Sequence, residues 1–422
     1  MNIRSMTSRT EVAPMSDIAI IGGGAAGLMA ASLLAQAGVP CDLFEKKDRF
    51  GLKIGITGKG RCNLTNACDA DRFRANIMKG DRFLYSALSR YDNMWLMDYF
   101  RDRGLALKIE RGDRVFPVSD RALDVVGTLL KACDERYVTR IKEEVIEIMA
   151  KDGFTVATKG KERRYQKVLL ATGGLSYPQT GSSGDGYRFA TSLGHSIQTP
   201  TPSLVGLHCA GDECSRMSGL GLKNVTLTLL NEKGRIVYSE MGEALFTHFG
   251  LSGPLVLTAS AYIAHKQMER ATISLDLKPG LSLDMLDQRL LRDFSEQKNK
   301  SFRNSLGKLL PSSLIPILIE RSGIDPDKQV NAVSREERQR LCSLIKNFSF
   351  TVIGTRPIEE AVVTAGGVTL KEIDPKTMES KLVNGLYFAG EVMDIDALTG
   401  GFNLQLAFTT AAAAAEAMIN GG

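Results

Sequence analysis

A chain of 422 residues is too long for one ordinary hydrophobic core, and its 43% hydrophobic and 24% charged content lies near the globular average, which excludes a fibrous or largely disordered protein. The formal net charge is +5, and every apolar stretch is interrupted by glycine or charge before it is long enough to span a bilayer as a helix. Seven scattered cysteines and four dispersed histidines argue against a disulfide framework and a metal cluster, and for a cytoplasmic protein.

Residues 1–16 read as a flexible lead. They are polar, carry Arg4, Arg9 and Glu11, and lack the apolar centre of a signal peptide. From Asp17 to Cys68 the pattern is strand, helix, strand, then a loop rich in glycine and cations. Ile18-Ala19-Ile20-Ile21 runs directly into Gly22-Gly23-Gly24-Ala25-Ala26-Gly27, which opens an alanine-rich helix. The next apolar run, Cys41–Phe44, ends at Glu45, 18 residues beyond Gly27. This is a G-x-G-x-x-G turn in the strand–turn–helix context that gives it meaning. Its glycines permit a tight turn and let the backbone approach a pyrophosphate, which rests on the free N–H groups and positive dipole end of the helix. Glu45 is placed to hold a ribose hydroxyl. On this motif alone, NAD and FAD are equally good occupants.

Lys46–Arg114 holds sixteen Lys/Arg against nine Asp/Glu. Such a region is either a solvated basic face beside a cofactor pyrophosphate or a surface for a polyanion such as RNA. Asp81–Arg103 is predicted helical, with an aromatic and leucine stripe from Phe83 to Phe100 read as core. A short strand at Leu105–Ile109 and a helix at Arg121–Tyr137 follow. Glu143–Ala150, Phe154–Lys159 and Tyr165–Leu170 are predicted strands, the last ending in Ala171-Thr172-Gly173-Gly174. A glycine-rich stretch, 181–186, precedes a helix to about Leu193.

At Thr199–Pro202 the texture changes. Ser203–Leu277 is strand-like and Ser282–Phe348 mostly helical, with no nucleotide fingerprint, so residues 201–355 read as an inserted substrate or cap domain. The flanking 17–200 and 356–422 read as two parts of one dinucleotide-binding domain. The returning segment carries strands at Ala361–Thr364 and Gly385–Ala389, Gly390-Glu391, and a helix from Gly401 to Met418. A nicotinamide dehydrogenase does not need this C-terminal return. An FAD-binding fold with an inserted domain does, and a helix N-terminus beside an isoalloxazine would stabilise negative charge on it. No second G-x-G-x-x-G is present; Gly219-Leu220-Gly221 lacks the third glycine and strand context. NAD(P)H, as reductant, would therefore dock transiently. Cys209 and Cys214 have a C-x-x-x-x-C spacing found in flavin disulfide reductases, but far from the first nucleotide motif.

Several stretches make the resemblance specific: Thr57-Gly58-Lys59-Gly60-Arg61-Cys62-Asn63-Leu64-Thr65-Asn66, Ala171–Gly174, Gly242–Pro254, Thr364–Val368 and Gly400-Gly401-Phe402-Asn403-Leu404-Gln405. In these the chain resembles, from Asp17 to about Met418, the NAD(P)/FAD-dependent oxidoreductase family that groups bile-acid dehydro-reductase-like proteins, an aminoacetone oxidase and an rRNA dihydrouridine synthase. The resemblance implies an α/β fold, a Rossmann-type FAD-binding domain interrupted by an inserted β-barrel plus helices. Family members usually have Gly where this chain has Ala397, and a Ser-Gly pair near Thr409-Thr410.

With the family comes an assignment of roles. Gly22, Gly24, Ala25, Ala26 and Gly27 meet the pyrophosphate of FAD. Glu45 holds the adenosine ribose with Lys46 alongside, and Val145 meets the adenine through its backbone. Ala171, Thr172 and Gly173, and Gly390 with Glu391, form two further cofactor walls. Arg61 and Asn63 border the flavin and diphosphate, and Asn403 and Leu404 offer backbone N–H groups to the pyrimidine edge. Arg61 reads alternatively as a surface cation. Cys62, Tyr177 and His248 are the candidate proton donors or acceptors. Lys59 and Arg61 are expected to lower the Cys62 pKa, whereas Cys62 as a small buried thiol and His248 as a structural histidine are equally open.

The leading functional expectation is an FAD-dependent oxidoreductase reduced by NAD(P)H that passes hydride to an activated C=C, with uridine in large-subunit rRNA as substrate and no membrane or metal partner. Lys298, Lys300, Arg303 and Lys308 in the insert would add a second phosphate-contacting patch. The alternatives are a small-molecule flavin reductase or amine oxidase, and a non-catalytic flavin-binding assembly protein.

Overall fold

The computed structural model describes residues 16–421, so the lead expected at the N-terminus lies outside the described residues apart from Ser16. The chain packs as two compact units. One combines the residues up to Thr201 with those from Val363 onward, and the other is Pro202–Val362.

The first unit is built on a five-stranded parallel sheet in the order Leu386–Phe388, Lys167–Leu170, Ile18–Ile21, Cys41–Phe44, Val138–Ile141. Ile18–Ile21 lies near the middle and is buried at every position, which is why it reads as an unbroken apolar run and not as an alternation. Ile21 pairs with both Leu170 and Phe44, and Leu170 with Phe388. Four strands therefore end on one line. Gly22, Glu45, Ala171 and Ala389 leave the sheet side by side at its carboxyl edge, where open α/β sheets bind ligands. The helices Ala25–Gln36 and Phe402–Asn420 pack on each other, and both are rich in buried alanine, among them Ala26, Ala30, Ala31 and Ala411–Ala415.

Among the boundaries that differ from the sequence expectation, three lie in the first unit ahead of Thr201, and in the second unit the helix Pro254–Lys266 interrupts the stretch expected to be strand. The helix expected to reach Tyr137 ends at Ala132, and the edge strand Val138–Ile141 follows. That strand hides only Val138 and Ile141 and carries Thr139 and Arg140 between them, too weak a pattern to read. The expected strand Tyr165–Leu170 is the junction of two. Lys161–Tyr165 belongs to an antiparallel sheet with Val145–Ala150 and Phe154–Thr158, while Lys167–Leu170 enters the parallel sheet. The single helix expected over Asp81–Arg103 is two, Asp81–Leu88 and Asn93–Asp102. Asp92 starts the second, its carboxylate accepting the Trp95 N–H at 2.8 Å.

The second unit is a closed six-stranded antiparallel barrel with helices. Its strands run Leu207–Cys209, Gly250–Ser252, Ile236–Thr247, Gly221–Asn231, Ala271–Asp276 and Phe348–Thr355, the last pairing with the first. Closure leaves no free edge. Its core includes Leu227, Phe246, Leu251, Ile273 and Phe348. The helices Leu283–Glu296 and Arg335–Lys346 start at Ser282 and Ser334, and Ser334 forms a capping box with Glu337.

One buried polar group of the first unit makes a pH-dependent contribution. The Ser380 hydroxyl accepts the N–H groups of Leu382 (3.0 Å) and Val383 (2.8 Å), so its hydrogen is left for His195 Nε2 at 2.8 Å. His195 Nδ1–H then donates to Glu372 at 3.1 Å. Burial lowers the imidazole pKa, partly opposed by Glu372, so the native state holds the ring neutral while the unfolded chain protonates it. The stabilisation is present above about pH 6.5 and is lost as pH falls toward the native value. The thermal midpoint is expected to fall more steeply between about pH 7 and pH 5 in the wild type than in His195→Gln. Equal slopes would show that His195 makes no such contribution.

Candidate functional site at the carboxyl edge of the sheet

The fingerprint turn is shaped by contacts that exclude side chains. The Gly22 N–H donates to Phe44 O at 2.9 Å, its φ is +111°, and a Cβ there would lie 2.5 Å from Ala171 O. A Cβ on Gly27 would fall 1.8 Å from Gly22 O. Gly24 is different. Its φ is an ordinary −83°, and a Cβ would meet no protein atom within 4 Å. Packing does not demand glycine at Gly24, and no side chain caps the helix of Ala25, Ala26 and Gly27 that begins there.

Glu45 closes one side of this turn. Its carboxylate accepts the N–H groups of Gly23 and Lys47, each at 2.9 Å. Burial pushes its pKa up, against the lowering effect of those N–H groups and Lys46. The Lys46 ammonium binds Asp185 and Ser183, fastening the glycine-rich 181–186 stretch beside Glu45.

Two other segments meet the turn. Ala171 N–H donates to Ile21 O at 2.9 Å, followed by Thr172 and by Gly173 at φ +73°. Gly390 has φ +76°, donates its N–H to Thr410 Oγ1 at 3.0 Å, and would place a Cβ 3.2 Å from Ala26 Cβ. Thr410 thus holds the returning segment to the C-terminal helix. Glu391, next in sequence, centres a network that the sequence did not disclose. Its carboxylate pairs with Lys53 Nζ at 2.7 Å and accepts Ser176 Oγ and Thr364 N–H, each at 2.8 Å. Lys53 Nζ also donates to Ser176 Oγ at 2.5 Å. Burial alone would raise the Glu391 carboxyl, but Lys53 and these donors hold it below the usual carboxylate range. Lys53, Ser176 and Thr364 carry no motif by spacing; only the fold brings them to Glu391.

The loop Thr57–Asn63 is held in costly backbone. Lys59 and Cys62 take φ of +58° and +61°, about 1 kcal/mol or more each for residues with a Cβ. Arg61 lies over the Phe116 ring, 4.2 Å from its centroid, and pairs with Glu110 and Asp120, each at 2.5 Å. Asn63 Oδ1 is buried and has no hydrogen-bond partner among the described residues. Across the site, the Asn403 side chain spans Ala397, donating to its carbonyl at 2.7 Å and accepting its N–H at 2.9 Å. Asn403 and Leu404 lie in the first turn of the C-terminal helix, which has no side-chain cap. Ala397 sits in a short extended strand without positive φ, so alanine is accommodated there without backbone strain. Val145 is buried at the start of its antiparallel strand.

The three proton-transfer candidates have unlike settings. Cys62 is fully buried, and burial pushes its thiol up to about 12. The lowering expected from Lys59 and Arg61 is absent: burial dominates, opposed only by a hydrogen bond with Thr57. Tyr177 is half-buried with φ +53°, ahead of the Pro178–Thr180 turn. His248 is exposed at the barrel hairpin between Thr247 and Gly250, in the other unit, its ring 5.1 Å from Phe249. Cys209 and Cys214 are buried free thiols within the barrel unit.

Much of the positive charge in Lys46–Arg114 is consumed internally. Arg72 pairs with Asp113, Arg74 with Asp81, Arg90 with Glu416 and Lys108 with Asp120. In the insert, Arg303 pairs with Asp327 and Lys308 with Glu296. No group of three or more His, Cys, Asp or Glu among the described residues could hold a metal ion, and no described helix is long and apolar enough to cross a membrane.

A family model for the HI0933-like protein Rossmann domain matches residues 16–417. The chain is 33% identical over 406 residues to a ribosomal RNA dihydrouridine synthase of Escherichia coli, covering 96% of this chain and 98% of the relative. It is 32% identical over 408 residues to a protein of the same name from Haemophilus influenzae, covering 95% and 98%. It is 30% identical over 404 residues to a 3-dehydro-bile acid delta(4,6)-reductase of Clostridium scindens, covering 94% and 97%.

Two outcomes follow from this geometry. All seven cysteines are buried, so a thiol reagent at neutral pH should find no fast-reacting cysteine in the native protein and seven after unfolding. One stoichiometric fast thiol would contradict the burial of Cys62. Lys53→Met leaves Glu391 without its counter-charge and should cost about 2–3 kcal/mol in denaturant unfolding. A change under about 0.5 kcal/mol would mean that the pair is not holding these segments together.

Proposed function

The chain belongs to the HI0933-like Rossmann family and is an FAD-dependent oxidoreductase; from that premise we propose that it reduces uridine in large-subunit ribosomal RNA to dihydrouridine, with NAD(P)H as the reductant. The observation that carries the RNA reading is the 33% identity to a ribosomal RNA dihydrouridine synthase, extending over 96% of this chain and 98% of that one. The bile-acid reductase likeness favours a second reading, a small-molecule C=C reductase, by similar identity over a similar length.

The residues present fit FAD. Gly24 leaves open backbone where nothing in the protein requires glycine, and Asn63 Oδ1 is a buried acceptor awaiting a donor. In this reading Gly22, Gly24, Ala25, Ala26 and Gly27 hold the pyrophosphate. Glu45, with Lys46 beside it, takes the adenosine ribose, and Val145 the adenine. Ala171–Gly173 and Gly390–Glu391 wall the cofactor, and Arg61, Asn63, Asn403 and Leu404 border the flavin ring. Bound FAD supplies hydride transfer.

Reducing a C=C also needs a proton at the second carbon, and that task falls to the chain. Cys62 holds its proton at neutral pH because burial pushes its thiol up to about 12, but that lies far above the pH at which a general acid works best, so protonation alone does not favour it. Tyr177 and His248 are the other candidates.

Deletion of the gene should remove one dihydrouridine from large-subunit rRNA, read by mass spectrometry, and re-expression should restore it. If no dihydrouridine disappears, the RNA reading is wrong for this chain. Loss of the oxidised flavin absorbance on anaerobic addition of NADPH or NADH is the expected sign of the reductant, and persistence with both would exclude it.

A further inference from the structure

Tyr85, on the helix Asp81–Leu88, is 60% exposed and is the one Phe, Tyr or Trp in the exposed class among the described residues. Its ring is not loose. The Arg74 guanidinium carbon lies 5.2 Å from the ring centroid. That guanidinium is fixed by a two-pronged bond to Asp81, Nε to Oδ1 at 2.8 Å and Nη2 to Oδ2 at 2.9 Å. A cation held in place backs an aromatic surface that otherwise faces solvent, an arrangement that contributes little to the core.

Two further cations lie close to Tyr85 along the chain. Arg82 lies three positions before Tyr85, on the same side of the helix, exposed and without an ion pair among the described residues. Lys79 is 51% exposed at its side chain and reaches Asp394 at 3.8 Å. The placement is also informative. The strand Ile77–Lys79 pairs antiparallel with Asp396–Ala397, and Leu398 N–H donates to Asn76 O at 2.9 Å. This ladder joins the backbone leading to Tyr85 to the same segment that Asn403 clamps, between Glu391 and the C-terminal helix.

Resting on the reading of the chain as an RNA-reducing enzyme, we infer that Tyr85, with Arg82 and Lys79, is a stacking platform for an unpaired base flanking the uridine that is reduced. A uridine inside a helix hides its C5=C6 bond in the stack, so it must be taken out, and its neighbours lose their own stacking partners. An exposed ring accepts any base face, and adjacent cations take the phosphates. A small neutral substrate would use neither.

The test measures dihydrouridine formation in protein-free large-subunit rRNA from a strain lacking this enzyme, for wild type, Tyr85→Ala, Tyr85→Trp and Arg82→Ala. Tyr85→Ala is expected to raise KM for the RNA about tenfold, with kcat and the flavin absorbance unchanged. Tyr85→Trp should stay within about twofold of wild type because it restores a π-face. Arg82→Ala should raise KM and make it less salt-dependent, by about one phosphate contact. A KM within about twofold of wild type for Tyr85→Ala overturns the platform and leaves the RNA reading standing. No dihydrouridine from the wild type overturns both.

Discussion

Close approach of three backbone turns at one edge of a parallel sheet is the constraint on which the rest of the first unit depends. Gly22 touches Ala171, Gly27 touches Gly22, and Gly390 touches Ala26, at separations where a methyl group would lie 2.5, 1.8 and 3.2 Å from the facing atom. The register sets these meetings, because Ile21, Phe44, Leu170 and Phe388 align across the strands. Two contacts are tight enough to forbid any side chain, and they hold the turn rigid. Gly24 is the exception: a Cβ there would meet no protein atom within 4 Å, and the proposed pyrophosphate site uses that open space.

Charge does the same work over a longer span of chain. Lys53 follows the first strand–helix–strand unit, Ser176 follows the fourth strand, and Thr364 and Glu391 follow the barrel unit in sequence. One carboxylate collects all of them. Removing one partner would strand a desolvated charge, so the network specifies this arrangement more than it adds net stability. The N- and C-terminal parts of a split domain are thereby fastened at the wall that would face the cofactor.

The sequence disclosed what local chemistry dictates. The buried run Ile18–Ile21, the glycine turn and Glu45 announced themselves because strand burial, turn and helix start each need particular residue types. The second unit was visible as a change of texture after Thr199–Pro202, but its barrel came only with the family resemblance, and the helix Pro254–Lys266 lies inside the stretch expected to be strand. The edge strand Val138–Ile141 was not, since two apolar residues around Thr139 and Arg140 give no period. The break at Asp92 was hidden beneath an aromatic stripe that ran through it. Lys53 and Ser176 had no signal, and Thr364 stood only within a stretch of family resemblance, because their meaning lies in a tertiary meeting with Glu391. Cys62 shows the same limit from the other side. Neighbouring cations in sequence suggested a lowered pKa, but burial raises it instead.

The central claim is that Gly24 is a glycine for the sake of FAD and not of the fold. It is tested most directly by Gly24→Val, with FAD titrated into the apoprotein by calorimetry beside an apoprotein melting curve. The account predicts an apoprotein that melts within about 2 °C of wild type, because a Cβ at this position meets no protein atom within 4 Å, and an FAD affinity weakened by about a hundredfold or more. A Gly24→Val protein that binds FAD as tightly as wild type would contradict it.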